Sequence, residues 1–263
     1  MSGSVTPRAA LERLTALVPY VRVSVRDPDG HDGDDWIPGS KLVRDPEFLY
    51  SMMRSTMDAR EIERDDIGLS LIVQGYAFRI ASVAIGAWLV SGGVLDVAPE
   101  NVSIQFGRNR PNAVLLDRAE WIAAPSDEPA DTLAALHLHL VDGHMAAIID
   151  TSRQATRSTR VGARMMWSNV ATSCASSFGA LMDPLPDERA TIRRRADEFF
   201  ACGRPELSAG GDIVPIGPKW AWQRNACCLY YLDPNGSKCG DCSLHTADER
   251  NDRYAALLVQ VSS

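Results

Sequence analysis

The chain has no excess of basic charge: 27 Lys and Arg stand against 34 Asp and Glu, for a net charge of −7. Nucleic-acid binding draws its affinity from clustered Lys and Arg, so this balance argues against DNA or RNA as a partner. No G-x-G-x-x-G follows a strand, and no G-x4-G-K-[ST] occurs. The chain therefore shows no nicotinamide, flavin or ATP site of its own. Electrons for any redox work must come from another protein. Internal repeats and low-complexity tracts are absent as well. The opening Met1-Ser-Gly-Ser-Val-Thr-Pro7 has neither a basic n-region nor an apolar h-region. The expectation is a protein without a secretory signal, in the reducing cytoplasm, where clustered cysteines act as metal ligands rather than disulfides.

One stretch is poor in charge. Leu69 to Leu95 carries Arg79 alone, which is long enough for a membrane span. Gln74 and Arg79 interrupt its apolar surface, and Gly92-Gly93 breaks it. A charge inside a span is expensive, so the stretch reads as one or two buried core helices.

What the chain does have is cysteine in one place. Four of its six cysteines fall between 227 and 242, as Cys227-Cys228-x10-Cys239-Gly240-Asp241-Cys242. Asp233-Pro-Asn-Gly236 marks a turn in the gap. Two cysteine pairs brought together by a turn supply four thiolates, which suits an iron–sulfur cluster or tetrahedral zinc. An adjacent Cys-Cys pair is unusual in a zinc ribbon. Adjacent side chains leave an extended backbone in opposite directions, so a sharp turn at Cys227–Cys228 is expected if both face one site. Cys174 and Cys202 lie far away in sequence and read as small buried apolar side chains. His137 and His139 do not share a helical face, no carboxylate or cysteine stands at a ligand spacing beside them or His144, and all three read as ordinary histidines.

The rest of the chain is mainly helical. Thr6-Pro7 and Asp45-Pro46 each pair a capping side chain with proline at the first helical position. Residues 26–40 form a polar loop whose aspartate spacing does not fit an EF-hand. Val102-Ser-Ile-Gln-Phe106 alternates as a strand, with Ala113–Leu116 and Trp121–Ala123 as candidate partners across a turn at 108–112. Pro125–Pro129 reads as a linker, and Asp131 as the cap of a helix over about 132–155. Helices follow over about 160–181 and 188–201, then a glycine-rich turn at 208–212 and the cysteine segment. Thr246-Ala-Asp-Glu249 is a capping box opening a last helix. The fold class expected is α+β, mostly α-helical. A small antiparallel sheet sits in an N-terminal region (1–125), and a helical region (130–263) ends in the cysteine loop and a final helix.

Lys219, Trp220, Trp222 and Arg224 lie just before the first cysteine, with Tyr230 and Tyr231 just after. Their bland role is packing around a small site. Their functional role is to shield a metal centre and to touch an anionic ligand.

The motif Cys227-Cys228-x10-Cys239-x2-Cys242, with Gly240-Asp241 inside the last pair, resembles the signature of the FhuF-like siderophore ferric reductases. Trp36-Ile-Pro38, Gly93-Val-Leu-Asp96 and Trp167-Ser-Asn169 are similar to other parts of that family. The helical portion is also similar to the ferric-reductase-like region related to IucA/IucC siderophore synthetases, but without an ATP pattern no synthetase activity follows. The resemblance implies that Cys227, Cys228, Cys239 and Cys242 bind one [2Fe–2S] cluster and form the redox centre. It implies an oxidoreductase that gives one electron to siderophore-bound ferric iron, with hydroxamate chelates foremost. A ferredoxin, a flavodoxin or a ferredoxin/siderophore reductase system would supply the electron. A cytoplasmic location is implied, with possible peripheral contact with a membrane importer. The alternatives are an iron–sulfur sensor or electron carrier without a chelate substrate, and a zinc-stabilised binding domain.

Overall fold

The longest helix has no polar face, and a helix that is apolar all round must be covered all round. The computed structural model, which describes residues 5–27, 35–107, 110–126, 129–156 and 162–259, builds the protein around that helix. In chain order, α1 (Pro7–Leu17) leads to β1 (Val23–Val25), β2 (Trp36–Pro38), α2 (Gly39–Arg44) and α3 (Pro46–Arg60). The long helix is α4 (Asp65–Ser91), followed by β3 (Val94–Leu95), β4 (Val102–Gly107), β5 (Arg110–Leu116) and β6 (Trp121–Ala123). A continuous helical run comes next, made of α5 (Pro129–Leu136), a π-helical stretch (His137–Ala146) and α6 (Ala147–Ala155). The chain ends with α7 (Ala163–Gly179), α8 (Arg189–Ala201), α9 (Pro205–Ser208), β7 (Gly211–Ile216), β8 (Lys219–Arg224) and α10 (Ala247–Val259).

Small residues let neighbours approach α4 closely. A Cβ on Gly68 would sit 2.4 Å from Met57 of α3, and one on Gly86 would sit 2.6 Å from Leu14 of α1. α7 packs along the same helix, and one hydrophobic core runs from Ala10 to Trp222 across both halves of the chain. Two helical runs, Asp65–Ser91 and Thr132–Ala155, are long and apolar enough to cross a membrane, and both are mostly buried within the fold. The expected α+β, mostly helical class is what the protein adopts.

The main sheet has the order β1-β5-β4-β2. It is mixed rather than antiparallel, because β1 runs parallel to β5. Those two strands are joined by a long excursion through α2–α4, and a parallel pair needs such a crossover. β6 does not join β4 as expected. It pairs with β3, which the left-handed turn at Gly92 brings back from the end of α4.

A hairpin of β7 and β8 was not expected in the C-terminal half. Pro215 and Pro218 within it argue against strands, and a two-stranded ribbon escapes that rule because both strands are edges. This hairpin delivers the chain to the cysteine segment. Residues 108–109 of the expected turn at 108–112 and 28–34 of the expected loop at 26–40 lie outside the described residues, as do 127–128 of the linker and 157–161 before α7. The rest of that turn, residues 110–112, instead opens β5, and residues 36–40 of the loop instead form β2 and the start of α2. α5 begins at Pro129, two residues ahead of the expected cap at Asp131.

Candidate metal centre

After β8 the chain bends through Asn225-Ala226 and runs into Cys227-Cys228. Leu229 then takes the left-handed conformation (φ 64°), and a tight turn follows over Tyr230–Leu232. Asp233 closes the loop. Its carboxylate is fully buried, accepts from Asn235 N–H at 2.8 Å and forms an ion pair with Arg60 of α3 at 2.6 Å. Gly236 passes so close to Tyr230 that a Cβ there would sit 1.8 Å from the Tyr230 carbonyl oxygen. The chain then returns through Cys239-Gly240-Asp241-Cys242, where Cys242 N–H donates to Cys239 O at 3.1 Å.

This path gathers all four thiols as two pairs. Cys228 Sγ lies 3.7 Å from Cys239 Sγ, and Cys227 has Cys242 as an electrostatic neighbour. Each of the adjacent cysteines thus has a neighbour in the second cysteine pair across the loop. Each pair joins a buried thiol, Cys228 or Cys242, to a half-buried one, Cys239 or Cys227. Leu229 N–H donates to Cys227 Sγ at 3.3 Å. The Ser70 hydroxyl of α4 donates to the Cys228 carbonyl at 2.6 Å.

Beneath the thiols lies a buried polar chain. Asn169 of α7 donates to Ser70 Oγ at 2.8 Å and accepts from Arg224 Nη1 at 3.2 Å. Arg224 Nε donates to Asp241 Oδ2 at 2.8 Å. Ser168, next to Asn169, donates to Gly210 O at 2.7 Å and so fixes the approach to the hairpin. Burial works against the Arg224 cation, but Asp241, Cys228 and Cys239 outweigh it and raise its pKa. In return, the hydrogen bond from Cys239 and the nearby Arg224 cation pull Cys228 down to about 6. The Cys239 thiol, donating to Cys228 and partly buried, is pushed up. Burial also raises Cys227. The first proton of the Cys228–Cys239 pair thus leaves easily, and a thiolate is the form that binds metal.

The other expected site residues scatter. Lys219 stands at the far end of β8 and pairs with Asp183. Trp222 is buried, donates to Thr172 Oγ1 at 3.0 Å and stacks on Phe200. Trp220 and Trp222 line a cleft of about 530 Å³ on the Gly240-Asp241 side of the loop. Arg224 is 1% exposed and faces the thiols from below. Cys174 is buried, whereas Cys202 is exposed because it caps the C-terminal end of α8 at the surface. Neither joins the thiol pairs. His137 and His144 are buried and hydrogen-bonded to Phe199 O and Val97 O.

A second cleft, of about 350 Å³, opens on the other side of the loop, with Cys228 and Cys239 in its lining beside Arg60, Arg79, Arg110 and Tyr230. Sequence reading missed it, because its arginines come from α3, α4 and β5 and share no motif.

Two family models match the chain. The one described as "Ferric iron reductase FhuF-like transporter" matches residues 71–208, more than half of the chain. The chain belongs to the FhuF-like ferric iron reductase family. The model described as "FhuF 2Fe-2S C-terminal domain" matches residues 224–244, the segment from Arg224 through the last cysteine. No curated protein matches the chain. Membership in the FhuF-like family makes the protein an oxidoreductase with an iron-related redox function, and its cofactor is a [2Fe–2S] cluster.

The residues fit that cofactor. Two thiolates on one tetrahedral metal, at about 2.3 Å each, stand about 3.8 Å apart, which matches the Cys228–Cys239 spacing. Among the described residues, no group of three or more His, Cys, Asp or Glu is arranged around a single metal ion. Cys228 and Cys239 are spaced to share one metal atom, and Cys227 and Cys242 supply two more thiols from the same loop. Arg224 Nη2 is buried with no hydrogen-bond partner, so a donor is left over for an acceptor that the protein itself does not provide.

Proposed function

We propose that this protein reduces ferric iron held in a siderophore, with Cys227, Cys228, Cys239 and Cys242 as the ligands of its [2Fe–2S] cluster. The observation that carries this reading is the cleft that reaches Cys228 and Cys239: a chelate seated there lies against one thiol pair. When bound, the cluster supplies a one-electron couple whose potential responds to hydrogen bonds, charge and exposure.

The surrounding residues set those terms. Ser70 and Asn169 hold the Cys228 backbone to α4 and α7. Leu229 N–H offers a hydrogen bond to the Cys227 sulfur. Arg224 places a buried cation beside Cys228 and Cys239, which favours a more negative, reduced centre.

The chemistry balances with one electron. The reduced protein loses one, and chelated Fe(III) becomes Fe(II). Hard oxygen donors hold Fe(III) tightly and Fe(II) far more weakly, so reduction releases the metal. The electron is replaced by a small donor protein of the ferredoxin or flavodoxin kind, or by a ferredoxin/siderophore reductase system. We place the reaction in the cytoplasm, near an importer that delivers the loaded chelate.

The test is a single turnover. Protein reduced with dithionite and freed of excess is mixed with a ferric siderophore and an Fe(II)-trapping chromophore. The reading expects one trapped Fe(II) per reduced protein. Reduced protein that stays reduced with every ferric chelate would instead make it an iron–sulfur carrier or sensor.

A further inference from the structure

The cleft over Cys228 and Cys239 is cationic in a protein that is acidic overall. Three arginines line it, and no Asp or Glu does. Arg60 is neutralised from behind by buried Asp233. Arg79 gives Nε and Nη1 to uncharged backbone carbonyls, those of Pro111 at 3.3 Å and Tyr20 at 3.1 Å, which fixes its guanidinium while leaving its charge uncompensated. Arg110 is exposed at the start of β5, and Arg22, whose guanidinium donates to Asn112, stands beside it. Among the described residues no carboxylate forms an ion pair with Arg22, Arg79 or Arg110. Burial, and then the cations of Arg110 and Arg22, depress the Arg79 pKa. Like charges held this close cost stability, and an anion between them would remove that cost. Phe78 and Tyr230 add aromatic walls, and Thr172, Ser173 and Ser176 add neutral hydroxyls.

Resting on the reductase reading above, we infer that the chelate taken by this cleft carries net negative charge, contributed by catecholate or carboxylate oxygens, and is held by Arg79 and Arg110. A neutral tris-hydroxamate complex has no charge to offer these side chains. Arginine suits anionic oxygen through its planar, multidentate donors, and a low-dielectric cleft focuses its field. Ferrous iron leaves behind an even more anionic chelator, which the same arginines retain while the metal departs.

Gallium(III) complexes test this without electron transfer, because gallium copies the size and charge of Fe(III) and is not reduced. The cluster-loaded protein is titrated with the gallium complexes of a tris-catecholate, a citrate-type hydroxycarboxylate and a neutral cyclic trihydroxamate. The anionic complexes are expected to bind more tightly and to weaken with salt, and whichever of the two binds better identifies the donor type. Arg110→Ala should weaken anionic binding about tenfold or more, the loss of one charge-assisted hydrogen bond, and leave the trihydroxamate unchanged. Equal or tighter binding of the trihydroxamate, or anionic binding indifferent to Arg110→Ala, overturns the inference. If the ferric trihydroxamate still reoxidises the reduced protein, the reductase reading survives that failure. If no gallium complex binds and no ferric chelate reoxidises the protein, both fall.

Discussion

Arg224 Nε donates to Asp241 Oδ2 at 2.8 Å, joining the last residue of β8 to the middle of Cys239-Gly240-Asp241-Cys242. The guanidinium is fully buried and the carboxylate partly so (22% exposed), and the pair holds the two ends of the metal-binding segment together from beneath. Removing one partner of a buried pair strands the other's charge. Asp241→Asn should therefore destabilise the fold by roughly 3–5 kcal/mol, as measured by chemical denaturation. Arg224→Gln removes a cation beside Cys228 and Cys239. It should shift the midpoint potential to more negative values in a redox titration followed by electron paramagnetic resonance. An unchanged potential would show that the Arg224 charge is not felt at the redox centre.

The two glycines of the loop should behave in opposite ways. Gly236→Ala drives a Cβ to 1.8 Å from the Tyr230 carbonyl oxygen, so the turn carrying Cys239 toward Cys228 cannot close. Gly240 has nothing within 4 Å of an added Cβ. Visible absorbance per protein should collapse in Gly236→Ala and persist in Gly240→Ala, with similar circular dichroism for both. Cluster content that falls equally in the two variants would contradict this geometry.

The thiol pairs make a ligand prediction as well. Cys228→Ser and Cys239→Ser each remove one member of the 3.7 Å pair and should lose or destabilise the cluster, as should Cys227→Ser and Cys242→Ser. Cys174→Ser and Cys202→Ser should keep it. Iron and sulfide content after anaerobic purification decides the matter, and a full spectrum in Cys228→Ser would refute the ligand set.

Much of this was legible because the signals are short-range. Thr6 and Asp45 cap their helices as their sequence context indicates, with Thr6 accepting from Ala9 N–H at 3.3 Å and Asp45 from Phe48 N–H at 2.9 Å. The Thr246–Glu249 box closes with both of its hydrogen bonds. The cysteine spacing identified the metal centre because all four thiols sit on one loop. What stayed hidden is what the tertiary fold assembles. Arg60, Arg79 and Arg110 meet only because α3, β5 and the cysteine loop all pack around α4. Arg224 looks like a surface charge beside a motif until Asn169 and Asp241 are seen to enclose it. The β7–β8 hairpin was concealed by its prolines.

Acid should destabilise the protein through His144. Burial outweighs the Val97 carbonyl, Glu100 and Asp96 and pulls its pKa down from 6.5 to about 4. Between those values the unfolded chain takes up a proton that the folded chain refuses. Stability is therefore fully present above pH 6.5 and is lost as the pH falls toward 4, by about 3 kcal/mol in all. Denaturation curves across this window should show the slope, and His144→Gln should flatten it. His137, lowered mainly by burial, leaves a residual slope in that variant.

The most direct test of the central claim is one optical experiment on anaerobically purified protein. The visible spectrum is recorded as isolated, after dithionite, and after addition of a ferric siderophore. A ferric-siderophore reductase gives colour that bleaches on reduction and returns with the chelate, with two irons per chain expected for the intact cluster. A colourless protein holding stoichiometric zinc after iron-replete expression, or bleached protein that no ferric chelate recolours, would contradict it.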